Sequence, residues 1–458
     1  MSNDADRLSH VLDGRHERHL SDLFDLLRIP SVSTDPARSG DVRAAADFLR
    51  TELATAGFDA RLLETGGHPA VHAHRAGPPG APSVLIYGHY DVQPADPLEL
   101  WDSDPFEPVV RDGMIVARGA SDDKGQAYAH VKGALALLEA DGELPVSLTF
   151  LIEGEEEIGS PNLAPLIERE RELLAADVVL VSDGAMLPNK VPTITYGLKG
   201  MTYLEVRVRT SDHDLHSGAF GGGVPNAAMA LATMLAGLKD EGGRIAVPGF
   251  YDEVLEIDDE ERAQLARVPF DPDAWAASAG VTATPGEPGR SLLERLWTRP
   301  TLDVNGLGGG FQGEGSKTVI PAEAFAKVSC RLVPDQEPAR IAERVERHLR
   351  DLAPAGTDVE VRHLNSGAWA LSPLTGGGVR SAAEAIRAVD GRDPVFVRTG
   401  GSIPVVADLQ RLLGAEVVLL DMGQESDRIH SPNERFDVDL YHRGIRLSAE
   451  LLRALGRR

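Results

Sequence analysis

The stretch SVLIYGHYDVQP, residues 83–94, decides the fold. Ser83 to Tyr87 is an apolar, β-branched run, and the polar pair His89 and Asp91 follows it directly. An apolar strand that ends in polar side chains suits an open α/β sheet, where ligands bind beyond the carboxyl ends of the strands. The pattern recurs along the chain. Val146 to Ile152 leads into Glu155, Glu156 and Glu157; Asp177 to Val181 leads into Asp183; Ala415 to Leu420 comes before His430. Helical periodicity covers Asp4 to Leu27, Asp41 to Ala56, Gly125 to Glu139 and Asn162 to Leu174. Strands alternating with helices indicate an α/β domain with a largely parallel sheet.

The character changes near Gly197. Met201 to Val208, Ala324 to Val333 and Val359 to His363 read as strands, with helices over Pro225 to Leu238 and Glu337 to Leu352. That β-α-β-α-β order predicts a smaller α/β sandwich. Its two halves are separated by Gly242 to Pro300, which is rich in Pro, Gly and acidic residues and reads as irregular or helical surface. After Pro373 the first pattern resumes, with a strand at Val395 to Val397. The expected organisation is one domain over 1–198 and 373–458, interrupted by an inserted domain over 199–372. A chain of 458 residues is long enough for this.

Composition narrows the function. The net charge is −25, which repels phosphate backbones and anionic membranes and argues against a nucleic-acid or membrane partner. Cys330 is the only cysteine, so no intrachain disulfide can form. The first twenty residues carry neither a basic region followed by an apolar one nor any long apolar run, and the expected location is the cytoplasm. There is no Gly-x-Ser-x-Gly turn, no P-loop, and no Gly-x-Gly-x-x-Gly after the first strand.

Each polar cluster has an ordinary reading when taken alone. His89 and Asp91 could be a polar strand end, Asp122 and Asp123 an N-cap pair, Glu155 to Glu157 a solvated face, and Asp183 a turn former. Together they place two histidines and several carboxylates at separate strand ends, with no cysteine nearby. Zn²⁺ and similar ions take such N/O donors. Two ions sharing one carboxylate need about five ligating side chains, and the chain supplies that number.

In order along the chain stand GHYDVQP, RGASDDKG, EGEEEIGS, TYGLKG, DLHSGAFGG, KTVIPAEAFAKVSCRLVP, TGGSIPV and HSPNE. This series resembles the M20 family of di-metal peptidases and deacylases, and within it the carnosine-dipeptidase-like (cytosolic non-specific dipeptidase) branch. The resemblance spans Ser83 to Glu434. It implies a zinc-peptidase-like mixed-sheet domain carrying a smaller α/β lid through which two subunits pair. His89, Asp122 and Asp183 would hold one metal and Asp122, Glu157 and His430 the other, with Zn²⁺ expected first and Mn²⁺ second. A cis peptide would follow Asp122. Asp91 would clamp His89, and Glu156 would be the general base. His216, Thr318, Arg331 and Ser402 match positions that contact substrate, His216 serving the other subunit. The activity implied is hydrolysis of dipeptides. An N-acyl amino-acid deacylase or desuccinylase would use the same metals, and a metal-binding scaffold with a dead site would lack a ligand or the base, all of which are present.

Overall fold

The computed structural model describes residues 2–401 and 403–458, with side chains from residue 7 onward. The chain divides into two units. One runs to Tyr196 and resumes at Ser372–Val397 and Asp408–Arg458; the other comprises Gly197–Leu371 and Arg398–Ala407. The ten residues Arg398–Ala407 thus group with the inserted segment, although sequence periodicity alone assigns all of 373–458 to the flanking domain.

The first unit is built on a mixed sheet. The strands Asp59–Leu63, Ala70–Arg75, Ser147–Glu153, Ser83–His89, Val178–Val181, Glu416–Leu419 and Thr193–Leu198 lie side by side in that order. The four from Ser147–Glu153 to Glu416–Leu419 run parallel. Antiparallel neighbours close the two sides. The parallel strands are buried on both faces, which explains their near-continuous apolar sequences. Their carboxyl ends point to one rim, and the loops that leave it carry the polar residues singled out above.

The helix Lys124–Asp141 lies at the centre, apolar and buried around most of its circumference. The helices Ser2–Leu27 and Val438–Gly456 pack on it. Two glycines permit these approaches. A Cβ on Gly133 would stand 2.6 Å from Ser448 Cβ, and one on Gly88 would stand 2.8 Å from Ala127 Cβ. Gly88 therefore lets the start of this helix reach the strand end that bears His89. Among the described residues no helix is long and apolar enough to cross a membrane.

The second unit corrects one expectation. Its strand order is β-α-β-β-α-β, because Thr301–Gly309 forms a further strand ahead of Glu323–Leu332. The sheet order is Thr301–Gly309, Glu323–Leu332, Gly200–Arg209 and Asp358–Gly367, with antiparallel pairing throughout. The helices Ala227–Ala236 and Pro338–Leu352 bury its apolar face. Residues 242–300 hold three short helices, Asp259–Leu265, Pro272–Ser278 and Leu292–Trp297, whose N-caps Asp258, Asp271 and Ser291 each accept a backbone N–H.

Candidate metal centre

Five chain segments converge at the carboxyl rim of the first unit. His89 ends its strand, Asp122 comes two residues before the helix Lys124–Asp141, Glu156 and Glu157 open a short 3₁₀ turn after Glu153, and Asp183 follows Val181. His430 arrives from the loop before Arg435–Asp437. The Asp122–Asp123 peptide is cis.

The side chains form two groups that share Asp122. His89 Nε2 lies 3.1 Å from Asp122 Oδ1 and 3.8 Å from Asp183 Oδ1. His430 Nε2 lies 2.8 Å from Asp122 Oδ2 and 3.2 Å from Glu157 Oε2. Each group offers three ligand atoms close enough for one ion.

The electrostatics fit cations. Burial disfavours the charged form of His89, but the surrounding carboxylates of Asp122, Asp183 and Asp91 outweigh it and hold its pKa well above the ordinary imidazole value. Hydrogen bonds to Asp122 and Glu157 raise His430 to about 10 against burial. Burial works to raise Asp122, yet its bonds to His430 and His89 prevail and lower it. The carboxylates thus create a field that draws protons onto both imidazoles. A metal exchanges for such protons, since ligands bind it deprotonated. One bridging carboxylate, with an imidazole and a further carboxylate in each group, is a donor set suited to a pair of divalent ions.

Asp91 does more than face His89. Its Oδ1 lies 3.4 Å from His89 Nδ1, but the hydrogen bond at that nitrogen is to the Asp91 main-chain oxygen at 3.1 Å. The Asp91 carboxylate accepts the amides of Glu156 and Glu157 at 3.2 and 3.1 Å, fixing the acidic turn. Glu156 itself is raised to about 8, first by burial and then by Asp183, Asp122 and Glu157, with His89 opposing.

Sequence reasoning missed Gln93. Its backbone N–H donates to Glu157 Oε1 at 3.1 Å and its side-chain amide to Oε2 at 2.7 Å, orienting that carboxylate. The residue lies inside GHYDVQP, but nothing local links it to a glutamate 64 positions away.

The remaining candidates lie in the second unit. His216 is exposed, and its Nδ1 accepts the Gly218 N–H at 3.0 Å. The strand Leu215–His216 pairs with Val319–Ile320, and Ser217 donates to the Thr318 carbonyl at 3.1 Å, so His216 and Thr318 are neighbours. Arg331 sits separately, half-buried on Glu323–Leu332 opposite Met201. Ser402 lies outside the described residues.

A family model described as Peptidase family M20/M25/M40 matches residues 85–454. The chain belongs to that family. It is a metallopeptidase-type hydrolase. The chain is 34% identical over 463 residues to a protein named Cys-Gly metallodipeptidase dug1 from Schizosaccharomyces pombe, covering 98% of this chain and 97% of the other. It is 34% identical to the human Beta-Ala-His dipeptidase, covering 83% and 76%. A solved M20 family metallo-carboxypeptidase, Sso-CP2 from Sulfolobus solfataricus, superposes with a TM-score of 0.83 at 33% identity, over 96% of this chain and 99% of that one.

Proposed function

We propose that this protein hydrolyses the peptide bond of dipeptides, with one divalent ion held by His89, Asp122 and Asp183 and a second by Asp122, Glu157 and His430. The observation that carries the reading is the pair of three-residue donor groups sharing Asp122 beside Glu156. The dipeptidase names of the similar Schizosaccharomyces pombe and human proteins support the substrate class. Zn²⁺ is the first choice of ion and Mn²⁺ the second, because imidazole and carboxylate donors without a thiolate accommodate both.

When bound, such ions polarise a carbonyl and make water more acidic. The chain's own residues do the rest. Asp91 and Gln93 fix the turn that carries Glu156 and Glu157. Glu156 takes the proton from the attacking water and passes it to the leaving amine, a role for which burial, which raises its pKa, makes it a stronger base than an exposed carboxylate. Arg331 offers a planar fork for the terminal carboxylate of the substrate. His216, Thr318 and Ser402 contact the substrate.

The protein works in the cytoplasm as a homodimer joined through the inserted domain over 199–372, which serves as a lid, and His216 completes the partner subunit's site. The strand Thr301–Gly309 supports the pairing. It is an edge of its sheet, and Val304 and Leu307 on it are exposed, which is a surface that a second copy could cover. The test is a hydrolysis panel of dipeptides, tripeptides and N-acyl amino acids with Zn²⁺ or Mn²⁺. Preference for N-acyl amino acids would overturn the dipeptide reading, and preference for tripeptides would favour carboxypeptidase action.

A further inference from the structure

Asp122 and His430 come from segments some 300 residues apart in sequence, yet their side chains lie 2.8 Å from each other. Something must hold the two loops in register. The loop that bears His430 has a turn bond of its own, from the Ser431 amide to the Arg428 carbonyl at 3.2 Å, but its backbone is unusual. Arg428, His430 and Asn433 have φ of 58°, 56° and 62°, the left-handed region that side-chain-bearing residues disfavour. Such a backbone persists only when its surroundings fix it.

Glu434 supplies the fixation. It is fully buried, and each oxygen accepts two hydrogen bonds. Oε1 accepts the amides of Ser121 and of Asp122 itself, both at 3.0 Å. Oε2 accepts the Gly119 amide at 2.9 Å and Arg118 Nη1 at 2.7 Å. Arg118, also buried, reaches back with Nη2 to the carbonyls of Pro94 at 3.2 Å and Ser431 at 3.4 Å. Its guanidinium stands 5.5 Å from the centre of the Trp101 ring. Asn433 adds two bonds, accepting from the Asp102 amide at 2.8 Å and donating to the Leu100 carbonyl at 2.9 Å. Three loops are therefore tied at one buried ion pair: the one after His89, the turn of Asp122, and the loop of His430.

We propose that Arg118 and Glu434 are positioning residues that set the spacing of Asp122 and His430, and so chiefly govern affinity for the ion held by Asp122, Glu157 and His430. Neither side chain would touch the ion. The inference rests on the metal-centre reading above. A buried charge pair that only stabilised the fold would affect both ions alike. This pair fixes two of the second ion's three ligands, Asp122 and the His430 loop, but only the shared Asp122 of the first ion's, whose His89 and Asp183 are carried by other strand ends.

Glu434→Gln is the first test. Its carboxamide oxygen can still accept from Ser121 and Asp122, but its NH₂ would face the Gly119 N–H and the guanidinium. In metal-free protein titrated with Zn²⁺, the ion whose binding Glu157→Gln also weakens should lose about 10–100-fold in affinity, the range for removing a group that orients a ligand. The first ion should change less than about threefold, which corresponds to roughly 0.7 kcal/mol. In the metal-free state, amide exchange at Gly119, Ser121 and Asp122 should quicken while the interior of Lys124–Asp141 keeps its protection. Arg118→Lys keeps the charge but loses the fork; it should shift the same ion in the same direction, and it carries the test if Glu434→Gln does not fold. Variants that bind both ions with unchanged affinity, or lose both equally, would overturn the positioning role. Wild-type protein that takes up no ion would instead overturn the metal centre itself.

Discussion

Replacing Glu156 with glutamine removes the proton acceptor and leaves both donor groups in place. The Glu156 backbone is held by Asp91 Oδ1 at 3.2 Å, a bond that does not involve its side chain. The carboxyl is raised to about 8, chiefly by burial and then by Asp183, Asp122 and Glu157. Divalent ions among those carboxylates would offset their repulsion, so in the loaded enzyme the group should titrate below that value. Glutamine has nearly the same shape but cannot accept the proton. Loss of a general base lowers turnover by about 10²–10⁴-fold. At about 1.36 kcal/mol per tenfold, that is roughly 2.7–5.4 kcal/mol of barrier. Glu157→Gln acts differently, because Glu157 Oε2 is 3.2 Å from His430 Nε2 within the second donor group. The assay is kcat/KM on one dipeptide, with metal content measured on the same dialysed samples. Glu156→Gln should keep its metal and lose turnover, and it should also lose the acidic limb of the pH profile. Glu157→Gln should lose metal. The opposite pattern would show that the roles within the acidic turn are displaced by one residue.

Asp122→Asn should lower the affinity for both ions together, since both donor groups contain Asp122, and calorimetric titration of the metal-free variant checks this. Gly133→Ala should destabilise the first unit by about 1–3 kcal/mol in urea, because its Cβ would meet Ser448 Cβ at 2.6 Å. His72 is buried with no hydrogen-bond partner at either ring nitrogen, and burial lowers its pKa to about 4. The unfolded chain, with an ordinary imidazole pKa near 6.5, binds the proton more readily, so stability falls as pH drops from about 6.5 to about 4. His72→Leu should reduce that slope by up to about 1.4 kcal/mol per pH unit in acid denaturation. Finally, mixing His216→Ala subunits with Glu156→Gln subunits should give heterodimers that regain one working site. Heterodimers shown to form yet remaining inactive would refute the shared site.

Several parts of the molecule were legible in the sequence for a physical reason. The parallel strands announced themselves as unbroken apolar runs, because both of their faces are buried. The ligand candidates stood out because a polar residue directly after such a run must leave the core. Thr301–Gly309 was not legible, since TLDVNGLGG has little strand propensity. It forms a strand because Glu323–Leu332 pairs with it, with an irregularity between Val304 and Gly306. Asp59–Leu63 and Ala70–Arg75 were missed as well, being short and mixed with charged or polar residues. Gln93, Arg118 and Glu434 were within quoted motifs, but their roles depend on partners 64 to 316 residues away, which no local pattern reports.

The central claim is that two ions sharing Asp122 are required for peptide hydrolysis. The measurement that tests it most directly is titration of verified metal-free protein with Zn²⁺ or Mn²⁺, following ion stoichiometry and dipeptide hydrolysis in the same samples. Two ions per chain should bind, with hydrolysis absent before addition and restored as the sites fill. Hydrolysis by protein whose metal content is verified as nil, or full activity with a single ion per chain, would contradict the account.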